Sequence, residues 1–389
     1  VTITKVGSVP WLAVQDGSGS WTAVTGSSFV VNDADGRYGV AWECAQSSGQ
    51  ALIGVTQETT ADATTVVASC LFDQASSTYS VSGNVTGVPA GGSAFVAIGN
   101  SFSTVTSASP SYSYPQVNGG LQTLVAYGLT SSSSPDTMVV QRGLSIVGNG
   151  THDIDLTTGQ PFSMTAFSVA GVPVGESPSA AAALVPDGSG FVLLAYDSSA
   201  ASLSFPQLPA ALAASGDLYY LDGGAAVSSG NVTLRQEVGL TSQSPSSGSL
   251  QLPAALDSSA AFSVSSGTAT AAWGSVPFLA GGGVGALYGD FSPNALTSPT
   301  WVVMVTPAWL GSGATTYSFP DLTSTSGWNS AWNFPTGQSG YATVAALHVS
   351  TAFSLDQLVG LATGRASSIT ALSNGATYLI SLRIESGVF

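Results

Sequence analysis

Positive charge is almost missing from this chain: six Lys or Arg stand against 21 Asp or Glu in 389 residues, a formal net charge of −15. With so few cations, no basic patch can displace counterions from phosphates, which excludes nucleic acid as a partner. It also argues against electrostatic docking on anionic lipid. Charge of either sign is scarce, at 7% of residues against about 25% in ordinary domains. Long apolar runs are missing too. The most apolar stretches, 301–310 and 342–349, fall well short of the roughly 20 residues of a spanning helix, so no transmembrane segment is expected. With two His and two Cys, there is no ligand set for a His/Cys metal centre, and no metal or cofactor is expected. No long amphipathic helix can be found.

What replaces charge is Ser, Thr, Ala and 46 Gly, while 44% of residues are hydrophobic, including 15 Phe, 12 Tyr and 8 Trp. Such a chain builds cores and wets its surface with hydroxyls and amides, which suits a β protein that is extracellular or exposed on a cell surface. Val1 is preceded by neither a start Met nor an apolar leader, which reads as a product whose signal peptide has been removed. Cys44 and Cys70 lie in strand-like segments of one N-terminal unit. In an oxidising compartment they would close a loop of about 25 residues and add roughly 3 kcal/mol. Two buried free thiols are the alternative, and the composition favours the disulfide.

Short alternating runs bounded by Gly, Pro, Asn or Asp recur throughout. Asn118-Gly119, Asn149-Gly150 and Asn374-Gly375 read as hairpin turns, and 208–215 as one short helix. The main organisational signal is a repeat. Tyr112-Ser-Tyr-Pro-Gln-Val117, Leu203-Ser-Phe-Pro-Gln-Leu208 and Tyr317-Ser-Phe-Pro-Asp-Leu322 share one pattern, with starts 91 and 114 residues apart. Each copy implies an equivalent strand, with Pro tolerable at a sheet edge, and each follows a start-like strand at Tyr79, Ser163 or Ala261. The first unit looks different: a strand, an Asp16-Gly17 turn and a strand, then a second hairpin from Phe29 to Trp42. The expected fold is all-β, built of tandem antiparallel β-sandwiches of Ig-like or transthyretin-like type. The units are 1–75 with the disulfide, 76–162, 163–259, and 260–389 with a Trp-rich loop.

Val14-Gln-Asp-Gly17, Asp35-Gly-Arg-Tyr-Gly-Val40 with Cys44, and Val81-Ser-Gly-Asn-Val-Thr-Gly87 resemble bacterial secreted and lipoprotein-type cell-surface proteins. The second block also resembles the opening strands of transthyretin-like, carboxypeptidase-regulatory-type sandwiches. The resemblance covers roughly residues 1–160. It implies an envelope location and sandwich modules, and it carries over no catalytic residue.

No constellation specifies a reaction. His152 sits with Asp153 and Asp155, but on a strand Asp153 points away from the other two, so a solvated turn is the preferred reading. His348 lies in an apolar run and reads as a hydrogen-bonded core residue. Asn32-Asp-Ala-Asp-Gly36 begins like a calcium loop but lacks the distal Glu and reads as a turn. Glu43, Glu58, Glu176, Glu237 and Glu385, the five Glu, are scattered over separate units, whereas a glycosidase needs two positioned carboxylates. Gly327-Trp-Asn-Ser-Ala-Trp-Asn-Phe334 is the most interesting cluster. Trp328 and Trp332, with Asn329 and Asn333, suit sugar stacking or a protein hot spot, unless both indoles pack onto the last sandwich. The expected role is a non-enzymatic structural or adhesive protein of the cell envelope, whose partners are itself or other envelope proteins. The alternative is a carbohydrate-binding module array.

Overall fold

Alternating, β-branched and aromatic runs become strands throughout: 58% of the chain is strand and 5% helical. This computed structural model describes all residues except 46–49, 71–76, 131–133, 187–189, 266, 281–283, 296, 312, 352–356, 359 and 361–368. The unit boundary expected near residue 75 lies outside the described residues.

The N-terminal segment supplies β1 (Thr2–Val6), β2 (Trp11–Asp16), β3 (Thr22–Ala23), β4 (Arg37–Ala45), β5 (Ala51–Thr59) and β6 (Thr65–Ser69). The next supplies β7 (Thr78–Thr86), β8 (Ser93–Ile98), β9 (Ser101–Thr106), β10 (Ser111–Asn118), β11 (Gly120–Thr130), β12 (Ser134–Ile146), β13 (Gly150–Thr151), β14 (Ile154–Asp155) and β15 (Gln160–Pro161). The third holds β16 (Ser163–Ala170), β17 (Ser177–Val185), β18 (Val192–Asp197), β19 (Ser202–Gln207), β20 (Leu218–Ser229), β21 (Val232–Ser242) and β22 (Gly248–Gln251). The last holds β23 (Ala261–Ser265), β24 (Thr268–Ala272), β25 (Val284–Pro293), β26 (Thr300–Val305), β27 (Thr316–Ser318), β28 (Ser339–Val349) and β29 (Thr377–Val388), with the single-turn helix α1 (Pro307–Leu310).

One strand order recurs four times. The larger sheet runs β3-β2-β4-β5 in the first segment and β9-β8-β11-β12 in the second. It runs β18-β17-β20-β21 in the third and β26-β25-β28-β29 in the last. A smaller sheet faces each: β1-β6, β10-β7-β13, β19-β16-β22 and β27-β24-β23. The first segment, expected to differ, has the same layout. The expected second hairpin is not formed, because Ser28 makes only an isolated bridge to Thr2 and β4 pairs with β2 and β5.

The three motif copies supply the outer strands β10, β19 and β27 of the smaller sheets. Their first and third side chains point inward: Tyr112, Tyr114, Leu203, Phe205, Tyr317 and Phe319 are all buried. The start-like strands β7 and β16 pair with β10 and β19, but in the last segment β24 pairs with β27 and β23 takes the far side. Two local expectations are corrected. Asn118-Gly119 and Asn149-Gly150 are corners at which the chain changes sheets, since β10 and β11, and β12 and β13, pair with different strands. Residues 208–215 form turns instead of a helix.

The segments are not separate beads. β21 pairs antiparallel with β29, from Val232↔Glu385 to Leu240↔Thr377. β26 pairs in parallel with β5, from Thr300↔Leu52 to Val305↔Gln57. Three of the four larger sheets thus fuse into one 12-stranded sheet. The parallel joint turns the first segment over: Trp301 and Val303 face the C-terminal core, whereas Val302 packs on the core of β1, β2, β4, β5 and β6. The second segment keeps its own sheet. It is fastened to the third by the Tyr127 hydroxyl on the Leu194 carbonyl oxygen (2.7 Å) and by Arg142, whose two terminal nitrogens reach the Asp217 carboxylate at 2.9 and 2.7 Å.

Candidate functional site

Cys44, on the inner face of β4, is bonded to Cys70, just beyond β6, with Cα atoms 5.4 Å apart. The bond joins the two-stranded sheet β1-β6 to the larger one, where the facing layer is thinnest. Closing a loop with a sequence separation of 26 removes about 3.5 kcal/mol of chain entropy from the unfolded state.

The tryptophan turn is built by local capping. Asn329 Oδ1 accepts from the Ala331 amide at 3.0 Å and starts a 3₁₀ turn over Ser330–Trp332. Asn333 Oδ1 accepts from Trp328 Nε1 at 2.8 Å. Both indoles are half-buried and both asparagines exposed. Trp328 lies edge-on to Trp11 with centroids 5.0 Å apart, and Trp332 lies 5.8 Å from Trp11. The two indoles are T-shaped to each other at 5.3 Å. Trp301 Nε1 donates to the Trp332 carbonyl oxygen at 3.1 Å, and Trp11 Nε1 to that of Ser326 at 3.2 Å. The turn therefore clamps the N-terminal segment onto the C-terminal one. The pairwise edge geometry is worth about 0.5–1.5 kcal/mol per contact beyond burial.

Beside this turn lies a cleft of about 370 Å³. Trp301, Phe319, Trp328 and Phe334 line it with aromatic surface, and Asp321 and Asn333 are among its polar lining. Asp321 Oδ1 accepts from the Thr323 amide (2.9 Å) and hydroxyl (2.6 Å). Those bonds hold its carboxyl below the usual carboxylate range. Trp332 does not line the cleft. Asp321 escaped the sequence reading, although it is the one acidic residue at a motif position filled by Gln116 and Gln207 in the other copies.

A second group was invisible in sequence. Across β20, β21 and β29 the Tyr378 hydroxyl sits 2.8 Å from Asp222 Oδ1 and 2.8 Å from Glu237 Oε1. It also contacts the Tyr220 hydroxyl, while Arg235 pairs with Glu237. One phenolic proton cannot serve both carboxylates. Burial, reinforced by the Glu237 charge, pushes the Asp222 carboxyl well above the usual range. Gly239 makes the room: a Cβ there would lie 2.0 Å from the Tyr378 ring. Tyr378 is 1% and Glu237 8% exposed, Asp222 is half-buried, and the group pins the joint between the third and last segments.

The remaining candidates are occupied locally. His152 accepts the Tyr112 hydroxyl through its carbonyl oxygen. Asp153 takes the Asn84 amide at 2.8 Å, and Asp155 caps the turn at Thr157. His348 is buried on β28. In 32–36, Asp33 Oδ1 accepts the Asp35 and Arg37 amides, and Asp16 takes those of Asn32 and Asp33. No group of three or more His, Cys, Asp or Glu able to hold a metal ion occurs among the described residues. No described helix is long and apolar enough to cross a membrane.

Fold and site together define an all-β protein of sandwich type with a stapled N-terminal layer and an aromatic cleft. No protein-family model matches the chain, and no curated protein matches it.

Proposed function

We propose that this is a non-enzymatic structural or adhesive protein of the cell envelope or extracellular space, working as part of a surface assembly. The observation that carries the reading is the pair of strand-edge joints, β21 with β29 and β5 with β26. Joining sandwiches through main-chain hydrogen bonds gives a stiff plate instead of a flexible string. The Cys44–Cys70 bond favours an oxidising compartment. The partners are other copies of the chain or other envelope proteins, through contacts that are apolar and amide-mediated because ionic groups are so few. Native material should therefore sediment as an assembly in both low salt and about 1 M salt, where exposed charge pairs are screened. A monomer at micromolar concentration in both conditions would overturn the proposal. The alternative, a carbohydrate-binding array, calls for an equivalent aromatic site in each unit. Within their own units, 76–162 and 163–259, the first two motif copies are followed by no Trp, whereas Trp328 and Trp332 follow the third.

A further inference from the structure

The cleft beside the tryptophan turn carries more than a packing role. Its volume of about 370 Å³ is within the range of small-ligand pockets, and it combines aromatic walls with polar atoms that still have bonding capacity. We propose that this single cleft binds a neutral saccharide unit, with the sugar's C–H face against Trp328 and Phe334 and its hydroxyls held by Asp321 and Asn333.

The polar pair has fixed orientation and unspent valence. Asn333 Oδ1 is engaged by Trp328 Nε1, which sets the amide and leaves its NH₂ as a donor. Asp321 Oδ1 is engaged by Thr323, which leaves Oδ2 as an acceptor. A sugar hydroxyl both donates and accepts, so one spare donor and one spare acceptor beside an aromatic wall complement a pair of neighbouring hydroxyls. Other ligand classes fit worse. No Lys or Arg lines the cleft, so a phosphate, sulfated or uronic acid group would meet the Asp321 carboxylate without compensation. A wholly apolar ligand would take water from Asp321 and return no hydrogen bond.

The other motif copies supply an internal control. The residue equivalent to Asp321 in the second copy, Gln207, is already consumed: its Nε2 donates to the Pro245 carbonyl oxygen at 2.8 Å and its Oε1 accepts from Ser163 at 3.4 Å. Substitution there should leave sugar binding alone. The ligand class is that of the array alternative, but the claim rests on one cleft, and the sedimentation result above does not bear on it.

The test is a tryptophan-fluorescence titration of the full chain with neutral gluco-, manno- and galacto-oligosaccharides, alongside sialylated and sulfated ones. At least one neutral sugar should saturate with a Kd of about 1 mM or tighter, and the anionic sugars should not bind. Asp321→Ala and Asn333→Ala should each weaken binding by roughly tenfold with unchanged circular dichroism, while Gln207→Ala binds as the parent does. Asp321→Asn keeps the oxygen that Thr323 needs but drops the charge. It guards against a folding defect and should relax the exclusion of anionic sugars. The proposal is overturned if no neutral sugar saturates by about 10 mM, if both alanine variants bind normally, or if anionic sugars bind better than neutral ones.

Discussion

Glu58 offers the sharpest test of how this chain handles burial. The residue lies on β5 at 2% exposure, directly opposite Tyr38 on β4. Thr56 donates to its Oε1 at 3.2 Å, and its Oε2 has no partner. Burial, reinforced by the negative charge of Asp62, raises its pKa from 4.5 to about 8. The folded state therefore favours the protonated acid. The stability this provides is fully present below the unfolded value and is lost as pH rises through the folded one. The loss is about 1.4 kcal/mol per pH unit between those limits, or roughly 3 kcal/mol by about pH 7. Glu58→Gln keeps the oxygen that accepts from Thr56 and cannot ionise. In urea unfolding, it should match the parent near pH 4 and exceed it by about 3 kcal/mol near pH 7. Asp290, half-buried and raised by desolvation to about 6, adds to the same acid-side slope in the parent. If the variant gains nothing near pH 7, or gains equally at both pH values, the reasoning fails.

Gly239→Ala should cost about 2–3 kcal/mol in unfolding free energy, because the new methyl overlaps a Tyr378 ring that Asp222 and Glu237 hold in place. Arg142→Ala leaves Asp217, whose side chain is 8% exposed, without its cation; it should cost about 2 kcal/mol, and Arg142→Lys should recover only part of this because the paired contacts need a guanidinium. Intact mass under non-reducing conditions should be two hydrogens below that of the reduced chain, and Cys44→Ala/Cys70→Ala should lower denaturant stability by about 3.5 kcal/mol.

The parts of the fold visible in sequence were those with local causes. The motif strands could be read because alternation at Tyr112, Leu203 and Tyr317 states which side chains turn inward. Asn118-Gly119 has the same local chemistry whether the next strand pairs back or crosses to the facing sheet, so only distant pairing settles it. The first segment hid its kinship because its motif strand is reduced to one bridge at Ser28. The exchange of β23 and β24 in the last segment has no sequence signal at all. For the site, Trp328 and Trp332 drew attention as a pair, but their main partner Trp11 is more than 300 residues away, and it turns both indoles into a clamp. The Asp222, Glu237 and Tyr378 group spans 156 residues, and its proximity follows from the β21–β29 joint, which no short window contains.

That joint also bears on how a chain with six cations avoids uncontrolled strand pairing. Proteins commonly protect sheet edges with Lys, Pro or a covering segment. Here Lys is scarce, and two other devices take over. β21, β29, β5 and β26 are paired within the chain. The outer strands β10 and β19 carry Pro115 and Pro206, and Pro320 lies two residues past β27. The proline of the repeated motif therefore serves as an uncharged guard on the β10 and β19 edges. β9 lacks both protections: it is the longest described outer strand with neither charge nor proline, and Phe102 on it is 43% exposed. The same economy of charge that closes the internal edges leaves β9 without either guard.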